Sequence, residues 1–313
     1  MSRGSWRAAA AGAIASCACA HAAPSHHGGD GLFDVLSADV PGAGSWSAAV
    51  TGVGYRIHAS QEPGATQDRR VWDGGVQVGA SFGGWLETWG RYGATLYSDQ
   101  GEWPIAPSDG SAGAKVALPW RNGWARTGVS ARVNLPWGSA ARGLSTDALD
   151  PNVSALFTFR LPESNPTTTA TLHVNVGHQW HRGDGGRGFD GVPPYYLEPV
   201  YPGEAMKDRW DLRAAVELVH EDVTLFLELL LDRLTSDGLS FGESPHFVTP
   251  GFRYRLGNGV AILAGSKIAL AQDDASTDRY RAPEDVYPDW QIVLGLSWSI
   301  PRQRADHDDH GPL

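Results

Sequence analysis

From Trp290 to Ile300 the chain reads "WQIVLGLSWSI", in which every second residue is large and apolar while those between are mostly small or polar. Alternate side chains leave a strand on opposite faces, so a period of two predicts a strand with Trp290, Ile292, Leu294, Leu296, Trp298 and Ile300 on one side. Segments of the same kind recur near 46–58, 71–82, 85–97, 112–118, 124–135, 152–161, 168–181, 208–220, 223–233, 245–255, 259–270 and 288–300, twelve in all. Most are 10 to 14 residues long, against a mean of about 5 to 6 for strands of soluble proteins. The connections alternate between 11 residues or more and 6 or fewer. Length and rhythm together predict an all-β fold, an up-and-down antiparallel transmembrane β-barrel of about 12 strands with short periplasmic turns and long external loops.

Two segments strain that pattern. "DLRAAVELVHEDVTLFLELLLDR", 211–233, reads as a hairpin turning at Glu221–Asp222 or as one helix with a stripe from Leu212 to Leu231. The hairpin preserves the alternation of loops. Pro250 interrupts "HFVTPGFRYR" and predicts a bulge at Pro250–Gly251, since proline donates no ladder hydrogen bond.

The two faces of the strands carry the functional expectation. One face is apolar, and the interface aromatics expected near its ends are Trp72, Trp180, Trp210, Trp290 and Trp298. The other face carries Asp73, Gln77, Glu87, Arg91, Lys115, Arg126, Arg132, Arg160, His173, Asn175, Arg213, Glu217, Glu228, Asp232, Arg253, Arg255 and Lys267. Unpaired charges in a dry core are very costly, so these residues are expected to line a watery or internally paired lumen. Nine of them are basic and five acidic. A net positive lumen favours anionic solutes; the alternative is that the charges pair with one another and fill the barrel.

Charge, leader and motifs refine this. The whole chain has 25 basic and 35 acidic residues, a net charge of −10, which argues against a general nucleic-acid binder. "MSRGSWR", the apolar "AAAAGAIAS" and the small-x-small "AHA" read as a signal peptide over 1–22. Its removal takes Arg3, Arg7 and both cysteines, Cys17 and Cys19, leaving −12 and no thiol. "IASC" before Cys17 also resembles a lipidation site. Residues 23–45 then form an N-terminal periplasmic segment, 46–300 the barrel, and 301–313 a polar tail. "SHHGGDG" and "HDDH" contain metal-ligand types in settings that fix no geometry, so no metal or other cofactor is expected. His173 invites a barrel-wall hydrolase as an alternative, though no catalytic residue is assigned. A soluble secreted β protein binding carbohydrate through tryptophan is the third reading.

On "VQVGASFGGWLETWGRYGATLY", "AGAKVALPW", "ARVNLPWG", "TLHVNVGHQWHRG", "TPGFRYRLGNG" and "PDWQIVLGLSW" the chain resembles bacterial outer-membrane β-barrel proteins. It is most similar to transporter barrels of the meta-pathway phenol-degradation type. The resemblance implies a porin-like location in the Gram-negative cell outer membrane. Its implied partners are outer-membrane lipids, the barrel-assembly machinery and small solutes. Two features depart from it, the Gly83–Gly84 turn and the thirteen residues after Ile300. Mass spectrometry of the mature protein is expected to find an N-terminus at Ala23; an acylated Cys17 would replace the simple leader with a lipid anchor.

Overall fold

The structure, a computed structural model, describes residues 24–25, 29–57, 69–98, 103–119, 124–138, 145, 148–161, 167–180, 182, 208–234, 246–271 and 290–300. Twelve antiparallel strands close on themselves in chain order. They are β1 Trp46–Ile57, β2 Arg69–Phe82, β3 Leu86–Tyr97, β4 Ile105–Ala117, β5 Ala125–Leu135, β6 Asp150–Arg160, β7 Thr168–Gln179, β8 Arg209–His220, β9 Val223–Leu234, β10 His246–Gly257, β11 Val260–Ala271 and β12 Trp290–Ile300. The last strand meets the first in register from Trp46↔Ile300 to Tyr55↔Gln291, which leaves no open sheet edge.

Local chemistry sets the tight turns. Gly83 and Gly84 both have positive φ, 60° and 68°, as a two-residue hairpin turn requires. Segment 211–233 is a hairpin with Glu221 at φ 51°. Strand pairing on both sides overrides its helix propensity.

One boundary and one bulge differ from the sequence expectation. β4 begins at Ile105, seven residues before 112, because Pro107 and Gly110 hide the alternation there. The register between β3 and β4 shifts at Arg91/Gly93, which absorbs the irregular start. Pro250 causes no bulge: β10 keeps one register with β11 from Phe247↔Ala269 through Gly251↔Gly265, and the shifts lie at His246/Phe247 and Arg255/Gly257. Pro250 remains paired with Leu227 of β9, so the missing N–H costs contacts on the β11 side alone.

The outer face is apolar. On β12 the even positions are exposed, Trp290 at 51% and Trp298 at 50%, while Gln291 and Val293 are fully buried inside. Trp46, Trp85, Trp124 and Trp298 ring the short-turn rim, and Trp72, Trp137, Trp180, Trp210 and Trp290 ring the opposite one. Eight residues at about 3.4 Å separate the two tryptophans of β12 by about 27 Å along the strand, enough to span a tilted apolar band. This exterior fits lipid, and the chain is a transmembrane β-barrel.

The interior is filled by the chain's own N-terminal segment. Residues 23–45 were expected to lie on the periplasmic side, but Leu32, Phe33 and Val35 are buried within the barrel against Val53, Val71, Ala215, Phe226, Leu263 and Val293, and Ala38 is buried as well. The segment doubles back on itself, with a bridge Gly31↔Leu36 and a Leu32 N–H to Val35 carbonyl bond of 2.8 Å. Gly31 is required at this fold because a Cβ there would strike the Val35 carbonyl.

Leu294 faces outward at mid-strand, so Leu294→Arg is expected to destabilise the folded barrel by about 2–4 kcal/mol. Equilibrium urea unfolding in lipid vesicles would measure this, and a loss near zero would contradict a lipid-facing β12.

Candidate functional site

The lumen is built from the inward positions of the strands and from residues 30–39 that occupy it. Asp73, Gln77, Glu87, Lys115, His173, Asn175, Arg213, Glu228, Asp232, Arg253 and Lys267 are buried on the inner face. Arg91 and Glu217 are nearly so. Arg126, Arg160 and Arg255 are more open and lie at the short-turn rim.

Eight of these residues hold the N-terminal plug. Asp39 enters between Arg126 at 3.3 Å and Arg160 at 3.5 Å. Above it the Ala38 N–H donates to Thr158 Oγ1 at 2.9 Å. Asn175 imitates a neighbouring strand, accepting the Leu36 N–H at 2.7 Å and donating to the Leu36 carbonyl at 2.9 Å. Glu228 Oε1 accepts the N–H groups of Asp34 and Val35 at 2.9 and 3.0 Å. Lys267 pairs with the Asp34 carboxylate at 3.5 Å, and Arg213 donates to the Asp34 carbonyl at 3.2 Å. On the returning limb Arg253 donates to the Gly31 carbonyl at 2.6 Å and Lys115 to the Asp30 carbonyl at 3.2 Å. A chain segment without its own ladder must find partners for its buried backbone groups, and the charged wall supplies them.

The remaining charges, Arg132 apart, pair within the wall or at its rim. Lys115 and Glu87 form a buried bridge of 2.8 Å, and Arg91 lies 3.6 Å from Asp73. Asp73 also accepts from Thr95 and Ser108. Towards the long-loop rim, Arg209 contacts Asp211 at 3.0 Å and Asp232 at 3.6 Å, while Arg213 reaches Asp211 at 3.5 Å. Arg255 is held at the opposite rim by Asp222 at 3.7 Å and by the Glu221 carbonyl. Asp34, Asp39 and Asp211 were not among the expected lumen charges, and they narrow the basic excess read from the strands.

This geometry is that of a closed twelve-stranded transmembrane β-barrel with a filled lumen. No protein-family model and no curated protein sequence matches the chain. Among solved structures, it is similar to an outer-membrane channel from Pseudomonas putida F1 at 10% identity and a TM-score of 0.52, covering 86% of this chain and 99% of that one. The NanC porin follows at 9% identity and 0.48, covering 80% and 98%. The first likeness shows a shared fold.

His173 sits in an arrangement that superficially suits catalysis. Its Nδ1 is 3.0 Å from Thr158 Oγ1 and its Nε2 is 3.5 Å from Glu217. Thr158 Oγ1 already accepts the plug's Ala38 N–H, so the hydroxyl is engaged from both sides and has no room for a substrate carbonyl. His178 faces outward between Trp180 and Trp210, at 4.6 and 4.8 Å between ring centres. Among the described residues no group of histidine, cysteine and carboxylates could hold a metal ion; "HDDH" lies outside them.

Three functional positions had a readable signal and were missed. Trp89 shares parity with Glu87 and Arg91, and Arg209 and Asp211 share parity with Arg213. Asp34 and Asp39 had none, lying in a stretch without periodicity.

Glu228→Leu removes the acceptor of two buried N–H groups, a loss of about 1–3 kcal/mol for each donor left unmatched. The expected result is faster amide hydrogen exchange at Asp34 and Val35 with strand protection unchanged. Equal protection in both proteins would mean that Glu228 does not hold the plug.

Proposed function

We propose that the chain forms a channel for small solutes across the outer membrane, with residues 30–39 as a plug that must shift for passage. The observation that carries this is how the plug is attached. Beside the apolar contacts of Leu32, Phe33 and Val35, its backbone is held by side-chain hydrogen bonds and ion pairs to the wall, each of which water or a solute can replace. A segment meant only to fill the barrel could be continuous with the sheet; this one contributes no strand to it. The likeness to transporter barrels of the meta-pathway phenol-degradation type is in keeping with uptake of small solutes.

A preference for anions is the finer part of the reading. It rests on the cluster of Arg91, Arg132, Arg209 and Arg213 around Asp73, Asp211 and Asp232, in which arginine outnumbers aspartate. The barrel-wall hydrolase is the weaker reading because Thr158 is committed to the plug. A soluble carbohydrate binder does not account for an outward face that is apolar along whole strands.

Planar-bilayer recording of the full chain and of a variant lacking residues 23–39 tests the proposal. The full chain is expected to give small unit currents, the variant clearly larger ones, and a salt gradient a reversal potential of the sign set by chloride. Equal currents would remove the plug's role, and a cation-selective sign would remove the anion preference.

A further inference from the structure

Among the described lumen arginines, Arg132 and Arg253 have no carboxylate within 4.0 Å, and Arg253 is taken up by the Gly31 carbonyl. Arg132 lies on β5, half-buried, and makes a long 3.5 Å hydrogen bond from Nη2 to Gln179 Oε1. No carboxylate of the described residues lies within 4.0 Å of it, whereas Arg91, Arg209 and Arg213 each have one. Its Nε–H is buried and unmatched. A desolvated cation with a spare donor is costly unless an acceptor completes it.

The surroundings supply a matching cavity. Arg132 lines a space of about 30 Å³ between the plug and the wall, which it shares with Trp89, Ser130 and Arg213. At roughly 10–15 Å³ for a single water, this volume suits a small polar group. Trp89 is buried and its indole N–H has no partner, and the Ser130 hydroxyl has none among the described residues either. Register explains why these donors converge: Trp89 pairs with Gly113 of β4, and Gly113 with Arg132 of β5, so the three stand in one row. Gly113 is the vacancy in that row, since a Cβ there would overlap the Trp89 ring. Gly177, another lining residue, is likewise bare where a Cβ would meet Ser154. The two carboxylates that border the space are engaged elsewhere, Asp34 with Lys267 and Asp211 with Arg209, Arg213 and Asn152.

We propose that Arg132, Trp89 and Ser130 form a binding site for the carboxylate of a small organic acid, seated between the plug and the wall. A carboxylate offers two oxygens to a guanidinium fork and further lone pairs to an indole N–H and a hydroxyl, a match that a spherical halide lacks. The assignment rests on the lumen being the solute path and names what that path recognises.

The test is acetate titration of the full-length barrel in detergent micelles with isotope-labelled arginine, compared with chloride at equal ionic strength. The Arg132 Nε–H resonance, identified by its absence in Arg132→Gln, is expected to shift saturably with acetate and much less with chloride. Trp89→Phe keeps the ring and removes one donor, and is expected to weaken acetate by about 2- to 10-fold. No saturable shift, a shift at other arginines only, an equal response to chloride, or unchanged affinity in Trp89→Phe would each overturn the site. Binding is read here without current, so acetate binding in a barrel that never conducts would sink the channel reading and leave this site standing.

Discussion

The hydrogen bonds from Asp34 and Val35 to Glu228 express the constraint on which the rest of this interior depends: charge buried inside a closed barrel must be answered by another group. Glu228 is fully buried, and its carboxylate is answered by two backbone N–H groups of the plug. The plug's own carbonyls at Gly31, Asp34 and Leu36 are answered by Arg253, Arg213 and Asn175. Wall and plug are therefore complementary halves of one polar core. Removing either would leave the other with unmatched buried groups, unless water entered to replace it.

Outside, the requirement is reversed. Leu294, Val76 and Val78 have no polar neighbours to satisfy and need only an apolar surround, which lipid provides. The same backbone serves both because successive side chains of a strand point to opposite sides. β12 shows the economy of this, with Gln291 and Trp290 as adjacent residues in entirely different media.

Much of the wall was legible because a period of two is a strong local signal. Strand boundaries fell within about two residues for most elements, and inward charges such as Lys115, His173 and Lys267 follow from parity alone. β4 was legible only from its second half, since "IAPSDG" has neither the alternation nor the β-branched residues that mark a strand. The plug was not legible. "DGLFDVLSADV" has no period, and Glu228, Asn175 and Thr158, which bind its backbone, lie more than a hundred residues away in sequence. For the same reason the charge count over strands alone could not foresee Asp34 and Asp39. Arg132 looked like its neighbours in sequence, and only the network around it shows a buried Nε–H that no described residue answers.

Those distant partners also bear on how the molecule is assembled. The plug is the first part of this interior to be synthesised, yet its contacts close loops of 120 residues to Thr158, 194 to Glu228 and 222 to Gly31's partner Arg253. Loops of that length form last, after neighbouring hairpins have paired. Since the plug runs directly into Trp46, the first residue of the strand that closes the ring, docking of the plug and sealing of the barrel share one end of the molecule. The seam that joins the two ends of the sheet is thus also the place from which its filling extends.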